Sequence, residues 1–536
     1  MNGSRTTLTT AIAVAALSAT AALTGCSPAP IQSETKTQTA QKLDLVGLNA
    51  VVLGERLASG ELTATEVTAA YLERISQIDA ATVNAMLEVN PDAGQIARDL
   101  DARFQAEGIQ GPLHGIPVVL KANIDTGDSM ATSAGSIAMA DNVAATDAFF
   151  VTRLREAGAV VLGKTNMSEW ANFRSMTSSS GWSSLGGQVR NAYVLDRNPC
   201  GSSSGSAAAV AASLAALAVG TETDGSIVCP SGLNGIVGIK PTVGAISRHG
   251  IIPVAHSQDT AGPMAKTVLG AAMLLQAMVG QHPATPGVPD RSTGFLPDPD
   301  LTSLTGKRLG VLRSYPGAGK HPRVEAVFTA SIEALRQLGA NIVDPIEFAA
   351  DESIARAEMQ VFLSEFKTDL NDYLASHQRP ADRDTLAELI EFNQRNRDVV
   401  MPIFGQELFQ AAEATVGLGD PAYLEALAGS GERVREALIA AFAENKLDAL
   451  VAPTNAPAWK IDWVAGDRFS VGSSGVAAIS GYPSITVPAG EVSGLPVGIS
   501  FIGLGWSEAA LIQTAYAFEQ ATQARTEPSY IPTLEK

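Results

Sequence analysis

"PCGSSSGSAAAVAASLAALAVGTETDGSIVCP", residues 199–230, joins a cluster of serines to a run of small apolar residues and then to a glycine-rich turn. The run 205–219 is mostly Ala, Ser, Val and Leu, and it predicts a helix of small side chains that lets other elements approach closely. The turn after it carries one more serine, Ser226, and the stretch contains no histidine. Because a serine hydroxyl is a weak nucleophile until a base activates it, a base must come from elsewhere in the chain.

The sequence on either side of this stretch alternates between strand-like and helix-like segments. The run 116–121, IPVVLK, predicts a buried strand that ends on a lysine, and residues 146–166 predict a helix that stops near Gly158 and is followed by a strand. The region 350–445 is mostly helical in pattern and predicts a helical layer or cap. Further strands are expected at GIVGIK, RLGVLR, LDALVAPT, SITVPA and GISFIG, with a helix at 507–521. Strands alternating with helices predict an α/β layered fold.

Three patterns in the chain resemble other kinds of site. Residues 201–205 match G-x-S-x-G, which would make Ser203 a nucleophile, but a serine-rich loop meets that pattern easily by chance. The segment 314–321, SYPGAGKH, lacks the first glycine and the final Ser/Thr of a phosphate-binding loop. The six histidines include no pair at i,i+3 or i,i+4. No metal or organic cofactor is therefore expected.

Four ordered blocks carry a family resemblance: GPLHGIPVVLKANIDT, PCGSSSGSAAAVAA, GTETDGSIVCPSGLNGIVGIKPTVG and SQDTAGPM. Together they resemble the amidase signature family, from about Leu45 to near the C-terminus. The resemblance implies one domain over 43–536, an α/β/α sandwich with a large mixed sheet covered by helices. Within the family, GTETDGSIVCP is most similar to the bacterial peptide amidases, which remove the C-terminal amide of peptides. Most other members have an arginine at the position of Val228.

The resemblance implies a catalytic set without histidine. Ser226 would be the nucleophile, Ser202 a bridging serine after a cis peptide bond from Gly201, and Lys121 the base. A lysine accepts a proton only when it is neutral, and burial lowers its pKa by penalising the ammonium form. The turn formed by Thr223, Asp224, Gly225 and Ser226 would bind substrate and aim N–H groups at the oxyanion.

One residue beside the implied base departs from the family pattern. Most members follow the lysine with Asp, and this chain has Ala122. If that Asp tunes the lysine in the family, the pH optimum of this chain is expected to shift.

The N-terminus predicts export and lipid attachment. Arg5 precedes an apolar, alanine-rich run that ends in LTGC, residues 23–26, which resembles the lipobox of bacterial lipoproteins. Residues 1–25 are therefore predicted to be a signal peptide, Cys26 the lipid-attachment site and residues 26–42 a flexible tether. The alternative is an unlipidated secretory signal. This interpretation places the protein in the bacterial cell envelope, anchored to a membrane.

The other two cysteines, Cys200 and Cys229, flank the serine motif. They could form a disulfide or pack as two small buried thiols. We expect thiols, because nothing in the sequence fixes the distance between their Cα atoms.

The sequence thus predicts an amidohydrolase that cleaves carboxamides, and peptide C-terminal amides in particular. The alternatives are a general or aryl-acylamidase and an amino-acid amide hydrolase. A solute-binding lipoprotein is the rival from another class, but it needs no nucleophile. The glutaminase subunit of a tRNA amidotransferase shares the signature, but the predicted export disfavours it. A net charge of −18 argues against nucleic-acid binding, and no obligate protein partner is expected.

Overall fold

A large mixed β-sheet forms the centre of the protein. In the computed structural model, which describes residues 43–280, 294–347, 352–377 and 382–535, eleven described strands form this sheet and two short strands form a separate hairpin. The strands are β1 Met86–Val89, β2 Pro117–Lys121, β3 Val160–Thr165, β4 Trp182–Ser183, β5 Gly187–Gln188, β6 Leu217–Glu222, β7 Val237–Lys240, β8 Thr260–Ala265, β9 Arg308–Leu312, β10 Asn341–Ile346, β11 Ala449–Pro453, β12 Ser484–Val492 and β13 Leu495–Ile502.

The sheet has the order β1-β3-β2-β6-β8-β7-β12-β13-β11-β9-β10. Strand β2 runs parallel to both β3 and β6, whereas β8 is antiparallel to both β6 and β7. Every residue of β2, β3, β6, β7, β8 and β13 is buried, so both faces of the sheet are covered there. The predicted α/β architecture, with a large mixed sheet covered by helices, is confirmed.

Sixteen α-helices lie in the described part of the chain. They are α1 Ala50–Ala58, α2 Ala64–Ile78, α3 Ala93–Glu107, α4 Phe149–Glu156, α5 Ser204–Ala211, α6 Val228–Leu233, α7 Val268–Met278, α8 Pro322–Gln337, α9 Glu352–Ala375, α10 Leu386–Arg395, α11 Arg397–Val400, α12 Glu407–Glu413, α13 Pro421–Leu427, α14 Arg433–Asn445, α15 Gly475–Ser480 and α16 Glu508–Thr522. Within the described ranges, no helix combines the length and the apolar character needed to cross a membrane.

Local sequence explains where several of these elements begin and end. Helix α2 starts at a capping box, in which the Thr63 hydroxyl accepts from the Glu66 N–H and the Glu66 carboxylate accepts from the Thr63 N–H. The predicted helix and strand within 146–166 are α4 and β3. The predicted helical region 350–445 contains α9 to α14.

The predicted helix over 205–219 is too long. Helix α5 ends at Ala211, Ser213 takes a positive φ of 57°, and Leu217 already belongs to β6. A helix and a strand that are both fully buried have the same small apolar composition. The run therefore offers no polar face from which a boundary could be read.

Candidate active site

Lys121, the predicted base, is the last residue of β2 and is fully buried. Its Nζ atom lies 2.7 Å from Ser202 Oγ, 3.0 Å from the Thr221 carbonyl oxygen and 2.8 Å from Thr221 Oγ1. Burial lowers the pKa of Lys121 to about 7, and the negative charges of Asp259 and Glu222 only partly oppose this effect. A large fraction of Lys121 is therefore neutral near neutral pH.

Thr221 and Asn123 belong to the same polar cluster, and sequence reasoning missed both. Thr221 lies near the end of β6, the parallel neighbour of β2, so the carboxyl ends of the two strands bring its side chain to Lys121. The Asn123 side-chain amide donates to Thr221 Oγ1 over 3.0 Å. The available signal was positional, since Asn123 stands two residues after the predicted strand end at Lys121 and Thr221 lies in the family block that carries Ser226.

Ser202, the predicted bridging serine, follows a cis peptide bond from Gly201, as the family resemblance implied. The Ser202 hydroxyl lies against Lys121, and the Ser202 carbonyl accepts from the Ser168 N–H over 3.1 Å. A Cβ atom on Gly201 would lie 2.2 Å from Ser168 Oγ. No residue with a side chain fits at position 201 unless Ser168 moves.

Ser226, the predicted nucleophile, lies in the turn after β6 and is 8% exposed. Its carbonyl accepts from the Ser203 N–H over 3.2 Å, so it packs against the residue next to Ser202. Gly225 has a φ of 77°, which favours glycine at the tightest point of the turn. After the turn, Glu222 Oε2 accepts from the N–H groups of Ile227 and Val228 at 2.7 and 3.0 Å, and this anchors the start of α6.

Ser203, the serine picked out by the G-x-S-x-G pattern, is fully buried and its hydroxyl is engaged. Its Oγ atom donates to the Thr221 carbonyl over 3.0 Å and accepts from the Thr221 N–H over 3.2 Å. The hydroxyl ties the serine loop to β6, so it is not free to attack a substrate.

Ala122, which stands where most family members have Asp, packs in a buried apolar cluster with Ala134, Trp170 and residues of α9. A carboxylate at this position would be placed among apolar side chains. The structure thus gives Ala122 a packing role beside the lysine.

The expectation of two free thiols at Cys200 and Cys229 is wrong, because the two residues form a disulfide with their Cα atoms 6.0 Å apart. Cys200 directly precedes the cis bond and Cys229 lies in the first turn of α6. The bridge therefore joins the segments that carry Ser202 and Ser226. The sequence could not reveal this, since the distance depends on how the serine loop folds back onto the turn.

The other residues of the predicted substrate-binding turn point in different directions. Thr223 Oγ1 donates to Asp259 Oδ1 over 2.5 Å, and Asp259 also accepts from the N–H groups of Val254 and Ala255. The neighbouring Asp224 lines a cavity of about 240 Å³, which we call the Asp224 cavity. Its walls comprise Asp224, Leu312, Ser314, Tyr315, Pro316, Ile354, Ala355, Glu358, Val434, Phe469, residues 472–476 and Ile479.

A second open space lies beside Ser202. A hollow of about 10 Å³, room for about one water molecule, is lined by Asn123, Ser202, Thr221 and Thr223 among others. The hollow shares Ile251 and Asp259 with a wide cavity of about 940 Å³. Open space therefore adjoins the turn 223–226 at both Thr223 and Asp224.

One group of described residues has metal-ligand chemistry. The side chains of His256, Glu365 and Asp369 lie within 4.8 Å of one another. However, the two ring nitrogens face different carboxylates, with Nδ1 2.9 Å from Asp369 and Nε2 3.4 Å from Glu365. The hydrogen bond to Asp369 raises the pKa of His256. This arrangement suits a protonated imidazole that ties the loop before β8 to α9.

Comparison with known proteins identifies the family. The family model described as Amidase matches residues 66–512. The chain belongs to the amidase signature family. Among solved structures, the peptide amidase of Stenotrophomonas maltophilia is 46% identical with a TM-score of 0.85, covering 91% of this chain and 99% of that chain.

Two curated relatives extend the comparison. A probable amidase of Arabidopsis thaliana is 41% identical, covering 88% of this chain and 89% of the relative. A glutamyl-tRNA(Gln) amidotransferase subunit of Moorella thermoacetica is 34% identical, covering 90% of this chain and 98% of the relative. Membership of the family makes the protein an enzyme that hydrolyses amides.

The predicted localisation, an exported lipoprotein anchored in the bacterial cell envelope, is wrong. The relatives of this amidase include plant and fungal amidases, a bacterial peptide amidase and amidotransferase subunits, and these names describe amidases and not lipoproteins. The solute-binding lipoprotein alternative finds no support either. The predicted signal peptide 1–25, lipid site Cys26 and tether 26–42 all lie outside the described residues.

Proposed function

We propose that this amidase hydrolyses C-terminal carboxamides of peptides through a Ser226–Ser202–Lys121 acyl-enzyme mechanism. The observation that carries the mechanism is the set of contacts around Lys121 Nζ, which touches one hydroxyl and two oxygens of Thr221. A neutral lysine has two N–H groups and one lone pair. When the two N–H groups donate to Thr221, the lone pair is left facing the Ser202 hydroxyl.

In the acylation step, Ser226 Oγ attacks the carboxamide carbon and its proton passes to Ser202, while Ser202 gives its own proton to Lys121. The resulting ammonium of Lys121 has three donors for three oxygens, so it is fully hydrogen-bonded. The tetrahedral intermediate collapses when the proton returns through Ser202 to the leaving nitrogen, and ammonia departs. An ester remains on Ser226.

Deacylation repeats the same proton path with water. Water attacks the ester carbonyl and gives a proton through Ser202 to Lys121, and that proton then returns to Ser226 as the carboxylic acid leaves. The net reaction adds one water to the amide and releases the acid and ammonia.

The turn 223–226 is suited to hold the oxyanion. In the described part of the chain, the N–H groups of Asp224, Gly225 and Ser226 have no hydrogen-bond acceptor. The next two N–H groups, of Ile227 and Val228, donate to the Glu222 carboxylate. We assign oxyanion stabilisation to the first three, because preorganised N–H donors act most strongly where charge develops. The Thr223 hydroxyl, which donates to Asp259, positions the turn.

Two observations favour a peptide amide as the substrate. The solved peptide amidase is similar to this chain over nearly all of its own length. In addition, the Asp224 cavity adjoins the turn that carries Ser226, which gives a longer acyl group room to bind. A general acylamidase or amino-acid amide hydrolase remains the alternative within the same chemistry.

A second candidate function is ammonia supply in an amidotransferase assembly. It is favoured by 34–35% identity to several glutamyl-tRNA(Gln) amidotransferase subunits over almost their whole length. Such a role would require partner proteins and glutamine as the substrate.

A panel of amides tests these proposals. The purified protein is given an amidated peptide, a simple aliphatic amide, an aryl amide and free glutamine, and ammonia release and product mass are measured. We expect the amidated peptide to give the highest kcat/KM, with internal peptide bonds left intact. Turnover of only the aliphatic or aryl amides would refute the peptide assignment, and turnover of glutamine alone would favour the amidotransferase role.

The nucleophile is tested by covalent labelling. A serine-reactive acylating probe should label the wild-type protein at Ser226, and Ser226→Ala should lose both labelling and turnover while keeping its fold, as measured by circular dichroism. Ser203→Ala is the matched control and should still be labelled. A covalent adduct on Ser203 would overturn the assignment.

A further inference from the structure

The Asp224 cavity combines apolar walls with two carboxylates. Leu312, Ile354 and Val434 contribute apolar surface, and Asp224 and Glu358 contribute the acids. No Lys, Arg or His is found among the described residues that line it. The described walls of the cavity therefore carry two acidic groups and no basic side chain.

The two acids are only partly compensated by their surroundings. The Asp224 carboxyl group has a hydrogen bond with the Ser474 side chain and feels the charge of Lys240, but its Oδ1 atom has no hydrogen-bond partner in the described part of the protein. Burial raises the pKa of Asp224 to about 6, and burial together with the charge of Asp224 raises the pKa of Glu358 to about 8. A bound cation would relieve the repulsion between the two carboxylates.

Gln258 links the acids to the nucleophile turn. Its side-chain amide donates to Glu358 Oε1 over 2.9 Å and to the Thr223 carbonyl over 3.4 Å. Glu358, on α9, is thus held beside the residue that precedes Asp224. The cavity wall and the turn that carries Ser226 form one hydrogen-bonded unit.

We propose that the Asp224 cavity binds the N-terminal ammonium group of a dipeptide amide, and that Glu358 is a specificity-determining residue for such substrates. This inference rests on the proposed function, because it requires Ser226 to attack the C-terminal carboxamide. The ammonium would lie between the two carboxylates, and the N-terminal side chain would pack on the apolar wall.

Chain length supports the choice of a dipeptide. Asp224 and Ser226 are two residues apart, so their Cα atoms are separated by about 7 Å at most. The N-terminal nitrogen of a dipeptide amide is about two residues, roughly 7 Å, from its C-terminal carbonyl carbon. An acidic protein, with a net charge of −18, also attracts cationic peptides.

An organic ammonium fits this cavity better than a metal ion does. Calcium and magnesium bind about six or more oxygen ligands, including water. The wall next to the two acids is formed largely by aliphatic and aromatic side chains, which suit a peptide residue.

The test compares two substrates that differ in one charge. Rates are measured for Ala-Phe-NH2 and for its N-acetyl form, on wild-type protein and on Glu358→Gln. We expect the free amine to have a kcat/KM about tenfold or more above the acetylated form in the wild type, as for a charge-assisted hydrogen bond. Glu358→Gln should bring the ratio close to one.

The control is Asp372→Asn, which neutralises another carboxylate of the same helix that lines the wide cavity instead. It should keep the wild-type ratio. Because each ratio is taken within one protein sample, partial loss of folded material does not affect it. Asp224→Asn provides a second variant and should also lower the ratio.

The outcomes separate this inference from the proposed function. If the acetylated peptide is hydrolysed as fast as the free one by the wild type, or if Glu358→Gln keeps the ratio, the ammonium site is refuted and peptide amidase activity stands. An equal fall in Asp372→Asn would also refute it, since the effect would then come from net charge. If neither peptide amide is hydrolysed, both proposals fail.

Discussion

Two adjacent parallel strands each carry a buried lysine near the carboxyl end, and only one of these lysines faces a serine. Lys121 ends β2, and Lys164 lies one residue before the end of β3. Burial lowers the pKa of Lys121 to about 7 and that of Lys164 to about 8. The Nζ atom of Lys164 donates to the Ile124 carbonyl and, over 3.3 Å, to Thr132 Oγ1.

The difference lies in what each lysine can do with a proton. Lys121 contacts Ser202, which leads to the turn of Ser226, whereas the contacts of Lys164 lead back into the loop after β2. The charges that act on Lys164 come from Asp125 and Asp128 among others, and they favour its ammonium form. A lowered pKa is therefore insufficient for a base, since the lysine must also contact a hydroxyl on the path to the nucleophile.

The largest expected effect comes from removing each lysine in turn. Lys121→Met should lower kcat by about 10⁴-fold or more, because residues that act as one catalytic unit cost nearly as much singly as together. Lys164→Met, the matched variant, should keep kcat within about tenfold, since only positioning would be lost. Steady-state kinetics on an amidated peptide measure both. Equal losses in the two variants would remove the distinction between the lysines.

The next comparison removes the side-chain hydroxyl that contacts each lysine. Ser202→Ala removes the proposed relay and should lower kcat by roughly 10²–10⁴-fold, the usual contribution of general acid–base catalysis. Thr132→Val removes the hydroxyl that contacts Lys164 and should leave kcat near the wild-type value. A Ser202→Ala variant with normal kcat would show that Lys121 takes the proton by another path.

The disulfide joins the segments that carry Ser202 and Ser226, and Ser202 is the hydroxyl partner of Lys121. The bridge between Cys200 and Cys229 closes a loop with a sequence separation of 29, and the double variant Cys200→Ser/Cys229→Ser should lose about 3 kcal/mol of unfolding free energy. Urea denaturation measures this loss. Activity per folded molecule should fall as well, because the bridge joins the segments of Ser202 and Ser226. Unchanged stability would show that packing alone holds the two segments.

Much of this architecture was predictable from local patterns. The strands that end at Lys121 and Lys240 were both expected, because apolar runs are local signals. Strand β8 was missed, since TAGPMA contains glycine and proline and does not look like a strand. Strand β8 lies between β6 and β7 and makes its backbone hydrogen bonds to both. This pairing becomes apparent only in the tertiary structure.

The serines and the lysine of the candidate site were inferred through the family blocks alone, and their catalytic roles stay predictions. Thr221, Asn123 and Glu358 were missed, because each owes its place to a contact with residues far away in sequence. The disulfide was predicted wrongly for the same reason, since the distance between Cys200 and Cys229 is set by the tertiary fold. Sequence spacing alone does not encode such distances.

The smallest expected effect, a shift in pH dependence, tests the hydrogen bonds around Lys121 most finely. Since Lys121 must be neutral to act as the base and its pKa is about 7, kcat/KM should fall as the pH drops through about 7. Thr221→Val removes the Oγ1 atom that accepts from Nζ, and this destabilises the ammonium form. The pKa of Lys121 should then fall further, and the acid limb of the profile should move to lower pH by about one unit. Thr132→Val should leave that limb unchanged, because its hydroxyl contacts Lys164. A shift to higher pH in Thr221→Val, or an equal shift in both variants, would mean that the limb reports a group other than Lys121.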